Sequence, residues 1–287
     1  MIELTGIPAT IPIGFMAALG LMRVLGRDLR LPVSLGWRAG HAVLDGIEQD
    51  RLIDALVGTM AERYQAREFN WAASTRCVTP QLYRATCAAA EQEGDLRCLS
   101  FMAAFDTDAV VDKNGNLRST RLDMSSGRQA LLSDLRSLAK LLAKPEVARE
   151  AFQAALFGGG YDAGQSSYGL DPATQRSHAT ESRSPTKSAP LGKRGWVWLF
   201  AESLPLHPVL PLGNSRAYPA GFDNGYFWPV WGGQLYLEEL AALRLLPAIG
   251  LRRLDGVLEI WKSPYYQIGK YGALASPVRE PIVSAKD

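Results

Sequence analysis

Cysteine and histidine are scarce in this chain, with three of each in 287 residues. Cys77, Cys87 and Cys98 are too few and too evenly spread for a disulfide framework, and no C-x-x-C pair suggests a zinc site. A reducing cytoplasm is therefore the expected compartment. His41, His178 and His207 stand apart, so the paired His-Asp signature of a metal-dependent nuclease is missing. Charge of one sign is lacking too: 31 basic residues face 29 acidic ones, a formal +2. Any nucleic-acid surface must come from uneven placement of charge. No internal repeat is visible. The apolar N-terminal run follows Glu3 without a basic n-region and is broken by prolines and glycines, so neither export nor membrane crossing is expected.

With 47% hydrophobic and 21% charged residues, the chain has the composition of an ordinary globular protein, and global disorder is excluded. Pro12 stands where a helix tolerates proline, and from Ile13 to Leu25 nearly every side chain is apolar or small. This predicts a helix buried all round, with Gly14, Ala17, Ala18 and Gly20 letting a neighbouring backbone come close.

Further along, Leu52 to Tyr64 reads as an amphipathic helix with Leu52, Leu56, Val57 and Met60 inward and Arg51, Asp54 and Glu62 in water. Gln81–Gln92 is an alanine-rich helix, and Phe101–Phe105 a short apolar run. Val110–Leu117 reads as a hairpin, because Asn114-Gly115 supplies the positive φ angles of a type I′ turn. Ser125 or Ser126 can cap the next helix, in which Leu131, Leu135, Leu138 and Leu142 recur until Lys144, and Pro145 starts another to Phe157. Gly158-Gly159-Gly160 ends regular structure. From Trp196 the chain turns compact again, with a short aromatic strand, proline-punctuated turns from Leu204 to Pro211 and a helix from Leu237 to Leu246.

The expected class is α+β: a mostly helical N-terminal part with a hairpin (1–157), a flexible Gly/Ser/basic loop (158–195) and an aromatic-rich mixed part (196–287).

Catalytic motifs are weak. Gly159–Ser166 has Walker-like spacing, but Gln165 stands where lysine should, and the segment follows a helix. Asp112, Asn114 and Asn116 alternate like calcium ligands, yet Leu117 replaces the required glycine and Asp123 the bidentate glutamate. Asp106 and Asp108 form a minimal acidic pair for magnesium. Cys77, with nothing beside it to lower its pKa, reads as a buried small hydrophobe. No catalytic residue, metal or cofactor is assigned.

The better signal is cationic. Arg176, Arg183, Lys187, Lys193 and Arg194 are opposed only by Glu181, and Trp196 and Trp198 follow directly. Flexible cations beside aromatics suit phosphate contact with base stacking, so Arg176, Arg183, Lys187, Lys193, Arg194 and Trp196 are the expected nucleic-acid-binding residues. A second cationic-aromatic region, Lys262, Tyr265, Tyr266, Lys270, Tyr271 and Arg279, reads as a protein interface. The helix N-terminus at Ser125-Ser126-Gly127, with Arg128 beside it, could hold a phosphate, although plain capping accounts for it.

The opening run Pro12-Ile13-Gly14-Phe15-Met16-Ala17-Ala18-Leu19-Gly20-Leu21-Met22-Arg23 resembles the N-terminus of small non-catalytic proteins of type I-G CRISPR effector (Cascade) complexes. The run resembles equally the related large-subunit proteins and the family known as an extension of the Cas helicase-nuclease. Further matches follow in order at Trp37, Ser126-Gly127-Arg128-Gln129, Tyr168-Gly169-Leu170-Asp171-Pro172, Leu204-Pro205-Leu206-His207-Pro208 and Trp228-Pro229-Val230-Trp231.

The resemblance implies a cytoplasmic, non-enzymatic subunit of an RNA-guided antiviral system. Its expected partners are the other Cascade subunits, the guide RNA–target DNA complex and the helicase-nuclease, and its tasks are target DNA binding and helicase-nuclease recruitment. Two alternatives are a subunit of the same system that grips the guide RNA, and a standalone metal-dependent hydrolase using Asp106 and Asp108.

Overall fold

The computed structural model describes residues 1–61, 63–125, 130–174, 189–212, 216–268 and 271–281. Strand β1 (Ile2–Pro8) leads into helix α1 (Pro12–Arg23), and β2 (Ser34–Arg38) and β3 (His41–Asp45) complete a three-stranded antiparallel sheet in the order β1-β3-β2. A helical stretch follows: α2 (Gln49–Gly58), α3 (Arg67–Asn70), α4 (Pro80–Gln92), α5 (Leu96–Phe105), α6 (Leu131–Leu142) and α7 (Pro145–Phe157).

After the two-residue strands β4 (Asp162–Ala163) and β5 (Leu191–Gly192), helix α8 (Arg194–Ser203) returns to the core. The rest holds the ribbon β6 (Val209–Leu212)–β7 (Arg216–Pro219), then β8 (Gly225–Trp231), α9 (Leu237–Leu245), α10 (Ala248–Leu251), β9 (Val257–Ile268), β10 (Tyr271–Leu274) and β11 (Val278–Glu280). Strand β9 pairs antiparallel with β8, β10 and β11. The fold is mixed α+β. Among the described residues, no helix is long and apolar enough to cross a membrane.

Every residue of α1 is buried, because the helix is enclosed by β1, β2, β8 and α8. Its small residues act as the sequence suggests. A Cβ on Gly20 would land on the carbonyl oxygen of Leu199 in α8, and one on Gly14 would press on the carbonyl of Pro8. Neither neighbour is a movable side chain. Gly20→Ala is therefore expected to lose about 3 kcal/mol or more of stability in chemical denaturation, the upper range for an overpacked core. Gly58→Ala at the end of α2, where a Cβ meets nothing within 4 Å, is the matched control and should change stability by less than about 1 kcal/mol.

One core joins the three sequence segments. The main cluster of buried residues runs from Ile2 to Leu274, so the boundaries at 158 and 195 do not divide it, and Ala90, Cys98 and Met102 form a small separate cluster. Three tryptophans from the C-terminal part close the main cluster with their indole N–H groups, each donating to a backbone carbonyl of the N-terminal part. Trp196 reaches Gly6 (3.1 Å) and Ala155 (3.0 Å), Trp228 reaches Ala9 (2.7 Å), and Trp231 reaches Leu35 (3.1 Å). Phe15 sits at the centre, with ring centroids of Trp37, Trp228 and Trp231 at 5.9, 6.0 and 6.2 Å. Phe15, Trp37, Trp228 and Trp231, four of the residues quoted for the resemblance, thus meet as packing partners.

Five expectations need correction. The segment from Trp196 is a helix, not a strand: Trp196-Val197-Trp198-Leu199-Phe200 has the side chains of a strand, but a helix buried on every side leaves no periodicity to read. Helix α2 stops at Gly58, short of Tyr64. The Val110–Leu117 hairpin reduces to one bridge, Val111 to Leu117; only Gly115 has positive φ, and Asp112 builds the turn by accepting from the amides of Asn114 (2.8 Å) and Asn116 (2.9 Å). Ser125 is no helix cap, since α6 starts at Leu131; its hydroxyl meets Asp123 and Arg76 instead. Cys77 is exposed, on a left-handed residue with φ +61°. Ser126, Gly127, Arg128 and Gln129 lie outside the described residues.

Candidate nucleic-acid interface

The basic loop is only partly described: Arg176, Arg183 and Lys187 lie outside the described residues, as do His178 and Lys270. Lys193 and Arg194 sit where α8 begins, and both are engaged. The Lys193 ammonium lies 4.2 Å from the Trp196 ring centroid and 5.6 Å from that of Tyr161, and burial lowers its pKa. Arg194 donates its backbone N–H to Asp162 (2.9 Å) and its guanidinium lies 3.4 Å from the same carboxylate. Trp196 is 3% exposed, with its N–H bonded inward and Lys193 over its ring, so it has no free face for a base. The stacking role expected of it is corrected to a core role, and Trp198 is buried as well.

Asp106 and Asp108 do not converge. Asp106 is 1% exposed, its carboxylate oxygens have no partner among the described residues, and burial, with Asp123 nearby, pushes its pKa up to about 8. Asp108 is exposed and paired with Arg84 at 2.7 Å. Among the described residues no group of three or more His, Cys, Asp or Glu could hold a metal. His207 is buried between the Ser203 carbonyl (3.0 Å) and the Tyr226 hydroxyl (2.8 Å), and burial beside Arg244 drives its pKa well below the usual value. In the C-terminal region Lys262 pairs with Asp223 and Arg279 with Glu259.

A cleft of about 410 Å³ lies elsewhere, between the loops around Arg76 and Arg118–Asp123 and the sheet residues Tyr218 (β7) and Tyr265 (β9). Its loops are held by backbone bonds: Leu117 N–H donates to Val78 (2.8 Å) and Thr120 N–H to Phe105 (2.8 Å). Burial of Leu117, Thr120 and Leu122 leaves Arg118 and Arg121 facing water. The Arg121 guanidinium lies over two rings, 5.5 Å from the centroid of Tyr265 and 5.9 Å from that of Tyr218. Phe222 backs both, at 6.2 Å from Tyr218 and 6.0 Å from Tyr265.

Among the described residues no carboxylate lies within ion-pair distance of Arg118 or Arg121, although the amides of Asn116 and Asn114, joined by the charge of Arg118, hold the Asp112 carboxyl below the usual range, and Arg76 donates to Ser125 (2.9 Å). The two carboxylates in the lining are committed to their loops. Asp123 accepts from Thr75 and from Ser125, and Asp112 from the amides of its own turn. The cleft therefore offers guanidinium groups and aromatic surface together, the pairing used to hold a nucleic-acid backbone and stack its bases.

Of the arginines and tyrosines of this cleft only Tyr265 stood out in the sequence, while Asp112 and Asp123 belong to the calcium-like pattern. Arg76, Arg118, Arg121 and Tyr218 come from separate stretches of ordinary composition, and the one local signal was the pair of cations three residues apart after the Asn114-Gly115 turn. The sequence matches no protein-family model and no curated protein.

Proposed function

We propose that this chain is a non-catalytic, large-subunit-like component of a type I-G CRISPR effector complex that engages nucleic acid through the arginine–tyrosine cleft. The observation that carries the binding role is Arg121 laid over Tyr218 and Tyr265, with Arg118 beside it and both guanidinium groups free of ion pairs among the described residues. The subunit assignment rests on the sequence resemblance alone. In that role the chain works in the cytoplasm, joins the other Cascade subunits on the guide RNA–target DNA complex, and recruits the helicase-nuclease. Arg176, Arg183 and Lys187 are proposed as further phosphate contacts on sequence grounds.

Counterion release supplies the test. If Arg118 and Arg121 each lie on a phosphate, the Arg118→Ala/Arg121→Ala variant should lower the slope of log affinity against log salt by about 1.4 to 1.8, measured by fluorescence anisotropy on the purified chain. Both residues are exposed, so the melting temperature should hold. An unchanged slope would move the interface elsewhere. Target-DNA affinity of the reconstituted effector with and without this chain tests the subunit role, and equal affinities would overturn it.

A further inference from the structure

The cleft differs from a surface that tracks a duplex. Its volume of about 410 Å³ is that of a small-molecule pocket. A duplex meets proteins along grooves of about 6 to 12 Å width spread over several base pairs, and such a body cannot enter a recess of this size. The geometry of Arg121 is equally telling. Its guanidinium carbon lies 5.5 Å from the Tyr265 ring centroid and 5.9 Å from that of Tyr218, and the residue is exposed. A planar cation backed by aromatic rings and open to water is a platform that an unstacked base can cover.

We infer that the cleft binds single-stranded nucleic acid, with one unpaired base stacked on the solvent-facing side of the Arg121 guanidinium, whose N–H edge meets one flanking phosphate while Arg118 meets the next. The inference rests on the nucleic-acid reading above and deepens it. Tyr265 and Tyr218 back the Arg121 guanidinium, and Phe222 packs against both rings, stacked on Tyr218 and edge-on to Tyr265. Arg76, anchored by Ser125, stands at the rim as a fixed positive charge. Asp112 and Asp123 hold the loops rather than read base edges, because their oxygens accept from local amides and hydroxyls. Binding is therefore tolerant of sequence, since every base has a face to stack while few edge-reading groups are free.

The test separates charge from planarity. Arg121→Lys keeps the positive charge and loses the planar fork. The probes are a single-stranded DNA 15-mer of mixed sequence carrying one 2-aminopurine, and the duplex formed with its complement, both titrated with the full chain at one salt concentration. The wild type should prefer the single strand by about tenfold and quench the 2-aminopurine on binding. Arg121→Lys should lose about tenfold in single-strand affinity, with its salt slope and its duplex affinity unchanged, since one base stack is worth about this factor.

Equal wild-type affinity for both probes, or an Arg121→Lys protein that binds and quenches like wild type, would overturn the single-strand inference. If Arg118→Ala/Arg121→Ala still lowered the slope, the broader nucleic-acid reading would survive. A wild-type chain that binds neither probe would remove both.

Discussion

Replacing Glu202 with alanine is expected to cost about 3 to 5 kcal/mol, the range for removing one partner of a buried ion pair. Glu202 in α8 is 0% exposed. Its two oxygens accept from Arg97 Nη2 at 2.9 and 3.0 Å, one also meets Arg23 Nη2, and Arg63 Nε lies 3.7 Å away. Burial pushes the carboxyl toward its neutral form, but Arg97, Arg23 and Arg63 outweigh this and hold its pKa well below the usual range.

The network is balanced, three arginines against Glu202, Asp28 and Glu68, with Arg97 bonded to Asp28 (2.7 Å) and Glu68 (2.5 Å) and Arg23 to Asp28 (3.1 Å). The Arg23 and Arg97 guanidinium carbons lie 5.2 and 4.8 Å from the Phe101 ring centroid. Without Glu202 the cluster keeps one uncompensated positive charge, with Arg23 enclosed and Arg63 and Arg97 only partly open to water. Because the native carboxyl titrates lower than an unfolded one, its contribution is present above pH 5 and fades as pH falls through the native value. Chemical denaturation at pH 7 should show the loss, and an Arg23→Met/Glu202→Leu protein should recover part of it. A wild-type midpoint for Glu202→Ala would refute the account.

Asp106→Asn should act in the opposite direction, stabilising the protein by on the order of 4 kcal/mol at pH 7. The Asp106 side chain is buried at the end of α5 with neither oxygen satisfied among the described residues, close to the charge of Asp123. Its backbone carbonyl accepts from the Tyr83 hydroxyl (3.1 Å), which leaves the carboxyl itself unaided.

The native pKa of about 8 stands above the unfolded value, so the folded state holds its proton more tightly. Stability then falls as pH rises from about 4 to 8 and levels off above that. Asparagine carries no charge to bury. The stability difference should be near zero at pH 4 and grow through the same window. Parallel stability curves for the two proteins would show that Asp106 is solvated or paired in solution.

The sequence by itself determined the local outcomes that depend on neighbours in the chain. Pro12 and Pro145 mark helix starts, Pro247 follows the end of α9, and the run from Ile13 to Arg23 is buried because it holds almost nothing polar. Leu131, Leu135, Leu138 and Leu142 face the core because their spacing follows the helical repeat. Only the tertiary structure decided the rest. Helix α8 escaped detection because full burial erases periodicity. Arg23 and Glu202, separated by 179 positions, read as ordinary charged residues until α1 and α8 cross at Gly20 and bring them together. The cleft has the same origin. Arg121, Tyr218 and Tyr265 are far apart in the chain, and they share one cleft only when a loop after α5 packs against Tyr218 of the β6–β7 ribbon and Tyr265 of β9. Local propensity acts over a few residues, whereas a site assembled from distant segments depends on long-range packing that no short window of sequence contains.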